Sequence, residues 1–299
     1  MLKKIVIFGV GLIGGSFAMA LRRAGAVRQI VGVGRTAPPL ARALELGIID
    51  LASTSVAGAI ADADLILIAA PVAQTEGILR QIEPHLEPHT VVTDAGSTKS
   101  DVVAAARRAL GAKIAQFVPG HPIAGRELNG PDAAIVNLYV GKKAILTPLA
   151  ENSPAAVTLV GEAWRRCGAI IHQLAPEQHD QVFAAVSHLP HLLAYALVDE
   201  LAQRPQADTL FQYAASGFRD FTRIAGSSPE MWRDITLANQ PMLLRELDAY
   251  LAQLGRLREL LALGDGAGIE AIYGNAQRAR HDWIRAIETA EQQSAEGGD

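Results

Sequence analysis

The 299-residue chain is predicted to be an α/β protein, with an N-terminal Rossmann-type, doubly wound parallel sheet followed by an all-helical domain. Three observations predict this. Short apolar runs alternate with helical patterns as far as about Thr147, the signature of βα units. The first of those runs opens directly into Gly9-Val10-Gly11-Leu12-Ile13-Gly14. After Pro176 the texture changes to long alanine- and leucine-rich patterns with little strand signal.

Composition supports two domains, expected at residues 1–174 and 175–299. Hydrophobic residues make up 49% and charged residues 19%, enough apolar material for a sizeable core. A net charge of -4 gives no electrostatic footprint for nucleic acid. One cysteine, Cys167, excludes an internal disulfide framework and fits a reducing, cytoplasmic setting. Lys3-Lys4 followed by the apolar run Ile5–Leu21 imitates a secretory signal. That run is broken by Gly9, Gly11, Gly14 and Gly15 and is too short for a membrane span, so it reads as folded structure.

Lys3–Phe8 is expected to be a buried strand and Gly15–Ala24 a helix. The glycines between them form the GxGxxG fingerprint: a tight turn, a close approach to a pyrophosphate, and close helix–strand packing. The anion would sit on the helix N-terminus, where N–H groups and the dipole favour negative charge. Gly9, Gly11, Leu12, Ile13 and Gly14 are therefore candidate cofactor residues. A second strand, Gln29–Gly34, leads to Arg35-Thr36-Ala37-Pro38-Pro39, where an NAD-binding chain normally carries Asp or Glu for the ribose 2′-OH. The first acidic residue here is Glu45. Arg35 and Thr36 suit a 2′-phosphate, so NADP is the favoured cofactor, with NAD possible; a solvated surface arginine is the alternative.

Leu44–Asp50 and Ala57–Ala63 read as short helical or connecting pieces. Strands are expected at Asp64–Ala70, Thr90–Thr93, Ile114–Val118, Lys143–Thr147 and Ala169–Leu174, and helices at Thr75–Ile82, Ser100–Leu110 and Pro154–Cys167. Beyond the boundary, helical patterns cover Glu177–Gln203, Asp208–Ile224, Pro229–Leu263 and Gly268–Gln293, and Ser294–Asp299 reads as a frayed tail.

Gly120-His121-Pro122-Ile123-Ala124-Gly125 follows the Ile114–Val118 run. The residue before a proline is pushed out of the α region, so His121 is expected in extended or turn backbone at a strand end. There it can act as acid, base or hydrogen-bond partner, or merely bond a neighbouring carbonyl. Ser97, at the start of the Ser100–Leu110 helix, is either an N-cap or a ligand contact. His179, His188 and His191 invite a metal reading, but Pro190 distorts their spacing and only Asp180 stands near as a further ligand, so no metal is expected. Arg219, Asp220, Arg223, Arg233 and Asp234 lie amid Phe, Trp and Met; such charges pair with each other or await an ionic ligand, and an arginine can hold a carboxylate bidentately.

Taken in order, the glycine loop, Asp94-Ala95-Gly96-Ser97-Thr98-Lys99, the Gly120–Gly125 motif, Ser187–His191 and Asp220-Phe221-Thr222-Arg223 strongly resemble the prephenate/arogenate (cyclohexadienyl) dehydrogenase family of tyrosine biosynthesis. The resemblance runs from the first strand to past Ile235. It implies NAD(P)-dependent oxidative decarboxylation of a cyclohexadienol to 4-hydroxyphenylpyruvate or tyrosine, and a homodimer formed through the helical domain. By position, His121 matches the histidine that bonds the 4-hydroxyl and Ser97 the serine beside it. Arg223 matches the arginine that holds substrate carboxylate, with Asp220 nearby; His179, His188 and His191 match histidines lining the same cleft. Arg126 and Glu127 follow the histidine motif at positions that vary in the family and take no role. A fused chorismate mutase or C-terminal regulatory domain is not expected, nor a nucleic-acid or membrane partner. Two other readings share the architecture. One is a β-hydroxyacid or imine reductase-type dehydrogenase, disfavoured in its lysine form because no lysine follows Lys143. The other is a non-enzymatic NADP(H)-sensing regulator, disfavoured by the joint presence of His121, Ser97 and Arg223.

Overall fold

The structure is a computed structural model that describes residues 1–126 and 128–296. The first half is built from β1 (Leu2–Phe8), α1 (Leu12–Arg23), β2 (Val27–Val33), α2 (Ala37–Glu45), β3 (Leu51–Ser53), α3 (Val56–Ile60), β4 (Leu65–Ile68), α4 (Thr75–Ile82), β5 (Val91–Asp94), α5 (Ser100–Leu110) and β6 (Phe117–Val118). The six strands form one sheet in the order β3-β2-β1-β4-β5-β6, every pairing parallel. This is the Rossmann order, with its switch point between β1 and β4. Alternate residues feed two cores: Ile5, Ile7, Leu65 and Leu67 join one cluster, Val6, Phe8, Ile66 and Ile68 the other. Both faces are thus buried, which is why these strands read as unbroken apolar runs. The signal-like N-terminus is β1 and α1.

Pro38 and Pro39 stand in the first turn of α2, where a missing N–H removes no helical bond. One local expectation is corrected. The run Ile114–Val118 does not continue as one strand to His121. Residues Gly111–Gln116 wind into a 3-10 helix, β6 keeps two residues, and Pro119 separates it from β7 (Gly120–Pro122). Proline has no N–H for a sheet ladder, so the chain leaves the parallel sheet there. It starts a second sheet with β8 (Lys143–Leu146) and β9 (Ile170–Gln173), flanking α6 (Pro154–Arg166). β7 runs antiparallel to β8, with His121 opposite Ile145, and β8 runs parallel to β9. Lys143–Leu146 therefore belongs to this sheet and not to the parallel one.

The helical part comprises α7 (Pro176–Phe183), a π-helical turn Ala184–His188, α8 (Leu189–Ala202), α9 (Ala207–Gln212), α10 (Ser216–Thr222), a 3-10 turn Arg223–Gly226, α11 (Pro229–Ala238), α12 (Gln240–Leu263) and α13 (Gly266–Glu296). The expected helix Glu177–Gln203 is present as a continuous helix to Ala202 with a π-helical turn before Pro190, while the next two expected helices are broken by the Tyr213–Ala215 link and at Asn239. Residues 294–296 continue α13, and the rest of the expected frayed tail lies outside the described residues. Residues 1–243 make one compact unit and the chain from Leu244 onward a second. Ala175, where the sequence texture changes, falls inside the first unit, because α7 packs against α5 and Ile235 of α11 joins the second core cluster.

Candidate active site

A row of backbone bonds aligns the carboxyl ends of four strands. Gly9 N–H donates to Val33 O at 3.1 Å, Ala69 N–H to Phe8 O at 2.7 Å, and Ala95 N–H to Ile68 O at 2.9 Å. Gly120 N–H extends the row by donating to Asp94 Oδ1 at 3.0 Å. Beyond these ends lies the crevice where open α/β sheets bind ligands. Gly9 has φ +92°, and a Cβ there would stand 2.5 Å from Ala69 O. A Cβ on Gly14 would stand 2.2 Å from Gly9 O, so α1 packs on β1 only with glycine at that position. A Cβ on Gly11 would meet nothing closer than Gly130 N at 3.9 Å. Steric packing thus demands the first and third glycines, while the second faces open space. The N-terminus of α1 has no side-chain cap and no acidic residue in its first turn. These residues fit the pyrophosphate of a dinucleotide. Leu12 and Ile13 open α1, and the Ile13 carbonyl accepts the Tyr139 hydroxyl at 2.6 Å. Arg35 and Thr36 are both exposed where β2 ends.

His121 sits half-buried on β7. Its Nδ1 is 2.8 Å from Nε2 of the fully buried His179, whose Nδ1 is 2.8 Å from Asp180 Oδ1. Asp180 also accepts the N–H groups of Lys99 and Ser100, each at 2.8 Å, and so caps α5 from α7. This corrects the capping alternative for Ser97: the N-cap residue of α5 is Lys99, whose side chain makes no cap bond, and Asp180 takes the N–H groups of Lys99 and Ser100. Burial raises the Asp180 pKa, but hydrogen bonds from His179, Ser100 and Lys99 outweigh it and hold the carboxyl below its usual range. Burial first, then electrostatic competition with His179 for a proton and the Lys99 ammonium, push His121 well below the ordinary histidine value. Burial lowers His179 too, against the opposing bond from Asp180. At neutral pH both rings are neutral. Phe183 packs against both, its ring centroid 5.0 Å from His121 and 4.5 Å from His179.

The strand end before His121 is held by a buried ion pair. Lys99 and Asp94, 0% and 1% exposed, bond each other; Lys99 Nζ also donates to Gly120 O at 2.7 Å. Asp94 Oδ2 accepts Gly96 N–H at 2.8 Å, which shapes the turn that presents half-buried Ser97. A Cβ on Gly120 would lie 3.1 Å from Asp94 O, so the close approach favours glycine.

His188 ends the π-helical turn, buried, with Nδ1 3.1 Å from Asn239 Nδ2. That amide also donates to Asp180 O at 2.8 Å, tying α11 to α7. Burial lowers the His188 pKa to about 4. Among the described residues its Nε2 has no partner within hydrogen-bond geometry, although the Ser97 backbone lies near enough to raise its pKa slightly. His191 is half-buried, its Nδ1 2.9 Å from Ser187 O and its ring stacked on Trp232 at 3.5 Å. π-Helical turns often mark functional sites, and this one offsets His188 from the regular α8 pattern.

The structure therefore brings His121, His179 and His188 together through Asp180 and Asn239. Asp220 and Arg223 are exposed, at the end of α10 and in the 3-10 turn after it. That turn packs on α8, where Tyr195 O–H donates to Ser227 O at 2.7 Å. Arg126 is exposed, and Glu127 lies outside the described residues. Among the described residues no group of three or more His, Cys, Asp or Glu is placed to hold a metal. The histidines and Asp180 form a line of hydrogen bonds and do not surround a point. In the sequence Asp180 stands out only as a possible metal ligand, and nothing there assigns a role to Lys99, Asn239 or Trp232. The Asp94–Lys99 motif carried a signal for the ion pair; no local signal existed for Asn239.

Comparison with known proteins gives a consistent result. The family model described as prephenate dehydrogenase, nucleotide-binding domain, matches residues 17–173, and that of the prephenate dehydrogenase dimerization domain matches residues 175–273. The chain is similar to cyclohexadienyl dehydrogenase of Zymomonas mobilis, 35% identical, covering 93% of this chain and 95% of that protein. It is similar to the crystal structure of Aquifex aeolicus prephenate dehydrogenase in complex with hydroxyphenyl propionate and NAD+, with TM-score 0.88 and 38% identity over 94% of this chain and 98% of that one. The Synechocystis arogenate dehydrogenase structure matches with TM-score 0.78 and 30% identity over 94% and 99%.

Proposed function

Because the chain belongs to the prephenate dehydrogenase family, we propose that it catalyses the NAD(P)-dependent oxidative decarboxylation of prephenate or arogenate. The observation that carries this reading is His121, packed against His179 on the strand whose Gly120 bonds Asp94 at the end of β5. It stands in the same row of strand ends as the glycine loop, with burial holding its pKa below the ordinary histidine value. A bound nicotinamide supplies the hydride acceptor. As hydride leaves ring C4, the 4-hydroxyl becomes acidic, and His121 takes its proton as the carbonyl forms. Loss of CO₂ from the ring restores aromaticity and makes the reaction effectively irreversible. Ser97 is assigned a place beside the 4-hydroxyl. Arg223 is assigned the substrate carboxylate, with Asp220, His188 and His191 in the same cleft; its role is orientation. A carboxylate held too tightly would oppose decarboxylation.

Gly9, Gly11, Leu12, Ile13 and Gly14 are assigned the pyrophosphate, and Arg35 with Thr36 the 2′-phosphate of NADP, favoured over NAD. The domain limits are placed at 174/175, consistent with the two family models, and the protein is assigned to the cytoplasm. The helical part is assigned to a homodimer. In support, the run Pro176–Ala202 is long and apolar, yet only 28% of its most apolar window is buried within one chain. An apolar surface of this kind is normally covered by a partner. The test is nucleotide reduction by the purified protein with prephenate and with arogenate, each with NAD and NADP. Turnover of either substrate supports the reading; no reduction in any of the four combinations overturns it.

A further inference from the structure

The hydrogen bonds behind His121 run in one direction only. Asp180 accepts two backbone N–H groups and is held ionised, so it can only accept from its remaining neighbour. Nδ1 of His179, 2.8 Å away, must therefore carry the proton that points to Asp180 Oδ1. A neutral imidazole with a proton on Nδ1 has none on Nε2. His179 Nε2 is thus an acceptor, and the 2.8 Å contact to His121 is filled only if His121 Nδ1 donates. It follows that Nε2 of His121 is unprotonated. That is the tautomer able to take a proton from a substrate hydroxyl.

We propose that Asp180 is a positioning residue that sets the tautomer and ring orientation of the base His121 from two hydrogen bonds away, with His179 as the intermediate link. This inference rests on the reading of His121 as the base. It also changes the part assigned to His179, whose two ring nitrogens are both engaged within the protein and which is fully buried. When His121 gains the substrate proton at Nε2, it holds it there until the electron pair released by CO₂ loss makes the ring oxygen basic and that oxygen takes the proton back; none passes on to His179. The imidazolium keeps its Nδ1–H bond to His179, whose own N–H points to the carboxylate, so the chain stabilises the charge without moving a second proton. A carboxylate that orients a catalytic histidine and stabilises its imidazolium is established chemistry with one bond between them; here a second imidazole extends the reach. The same carboxylate caps α5, so the helix that follows Ser97 and the base share one anchor.

The test combines Asp180→Leu with ¹⁵N NMR of histidine-labelled enzyme and steady-state kinetics. Leucine removes the acceptor that holds the proton of His179 on Nδ1, so His179 can carry it on Nε2 and donate to His121 Nδ1, which puts the proton of His121 on Nε2. Asparagine would not serve, because Lys99 N–H and His179 Nδ1 share Asp180 Oδ1 and an amide oxygen placed there keeps both bonds. The expected results are an unprotonated His121 Nε2 in the wild type and a population protonated on Nε2 in the variant. In the variant kcat should fall at least about ten-fold, toward the roughly 10²- to 10⁴-fold of a lost general base, with KM and nucleotide Kd little changed. Should Asp180→Leu fail to fold, His179→Gln serves. Its side-chain oxygen can accept from His121 Nδ1, so it should retain more than about ten-fold the kcat of His179→Leu, an assumed margin well inside the range above. A wild-type His121 protonated on Nε2, a tautomer unchanged by Asp180→Leu, or equal kcat for the two His179 variants overturns the proposal. The NMR readout needs no substrate, so a wild type with the expected tautomer but no turnover of either substrate would overturn the reading of function and not the relay.

Discussion

Cofactor choice is open to a direct test at the end of β2. NADP differs from NAD by a 2′-phosphate, which adds about -1.5 to -2 charges and three acceptor oxygens, as in other phosphate monoesters. The carboxylates nearest in sequence to this strand end are committed elsewhere. Glu45 pairs with Arg42 at 3.1 Å, and Asp50 accepts Ile30 N–H at 2.7 Å and pairs with Arg22 at 3.0 Å. None stands in β2 or its turn to repel a phosphate. Arg35 and Thr36 are exposed there and can donate to one. One or two charge-assisted bonds of about 1.5–3 kcal/mol each give an NADP preference on the order of 10- to 10⁴-fold in kcat/KM. Arg35→Ala should erase most of it. Gly34→Asp should reverse it: the atoms nearest a Cβ at position 34 are those of the Leu40 side chain, at 3.3–3.6 Å, a contact a leucine can relieve. The assay is kcat/KM for both nucleotides in wild type and variants at low and high salt, and the preference should shrink as salt screens the exposed contact. Equal kcat/KM for NAD and NADP in the wild type refutes the reasoning and leaves Arg35 as a surface residue.

Three further outcomes are expected. His121→Asn should lower kcat by about 10²- to 10⁴-fold with KM little changed; stopped or continuous turnover assays check this, and retention of most of kcat removes His121 as the base. Arg223→Ala should lower kcat/KM at least about ten-fold while nucleotide affinity stays intact, since a charged hydrogen bond is worth about 1.5–3 kcal/mol; a loss of nucleotide binding in titrations would place Arg223 elsewhere. The third concerns acid stability: His188 has its folded pKa depressed to about 4, so below the unfolded value of about 6.5 the unfolded chain binds the extra proton and stability falls with pH. Between pH 7 and pH 5 this one group should cost about 2 kcal/mol; urea unfolding of wild type and His188→Gln should differ by that amount, and identical pH dependences would contradict it.

Much of the fold was legible because the sheet is buried on both faces. β1, β4 and β5 read as continuous apolar runs, and α4 and α5 fall where their patterns place them. The glycine loop was legible because Gly9 and Gly14 answer local steric demands. What escaped was whatever depends on partners distant in sequence. The change of sheet at Pro119 is marked only by a proline between two apolar stretches. The breaks in the helical half follow from tertiary contacts, such as Asn239 bonding Asp180 O and His188. In the site, histidines announce themselves by chemistry, so His121, His179, His188 and His191 were all singled out. Their connections were not legible, since His121 and His179 are 58 residues apart and Lys99 and Asp180 are 81. Asp180, adjacent to a histidine, looked like a ligand for a metal when its oxygens are spent on a helix cap and on His179.

The buried Lys99–Asp94 pair explains why the motif around Ser97 sits so close in space to the histidine strand. A buried ion pair is weak evidence of stabilisation, because desolvation offsets much of the attraction. This one has its surplus hydrogen-bonding capacity used on backbone: Lys99 on Gly120 O, Asp94 on Gly120 N–H and Gly96 N–H. Both polar groups of Gly120 are therefore fixed by side chains from the end of β5, one residue before His121. The parallel sheet that carries the glycine loop and the short sheet that carries the base are joined at this point by charge-assisted bonds, which are shorter and stronger than neutral ones. The same ammonium is one of the positive charges that lower the pKa of His121, so it holds the strand and disfavours the imidazolium at rest. In the proposed relay Asp180 acts in the opposite sense, through His179, once a proton arrives. A base so placed between a fixed cation and a fixed carboxylate would be neutral before the reaction and carry a stabilised charge after it, and both charges would come from residues that also hold the backbone of α5 and β7 in register.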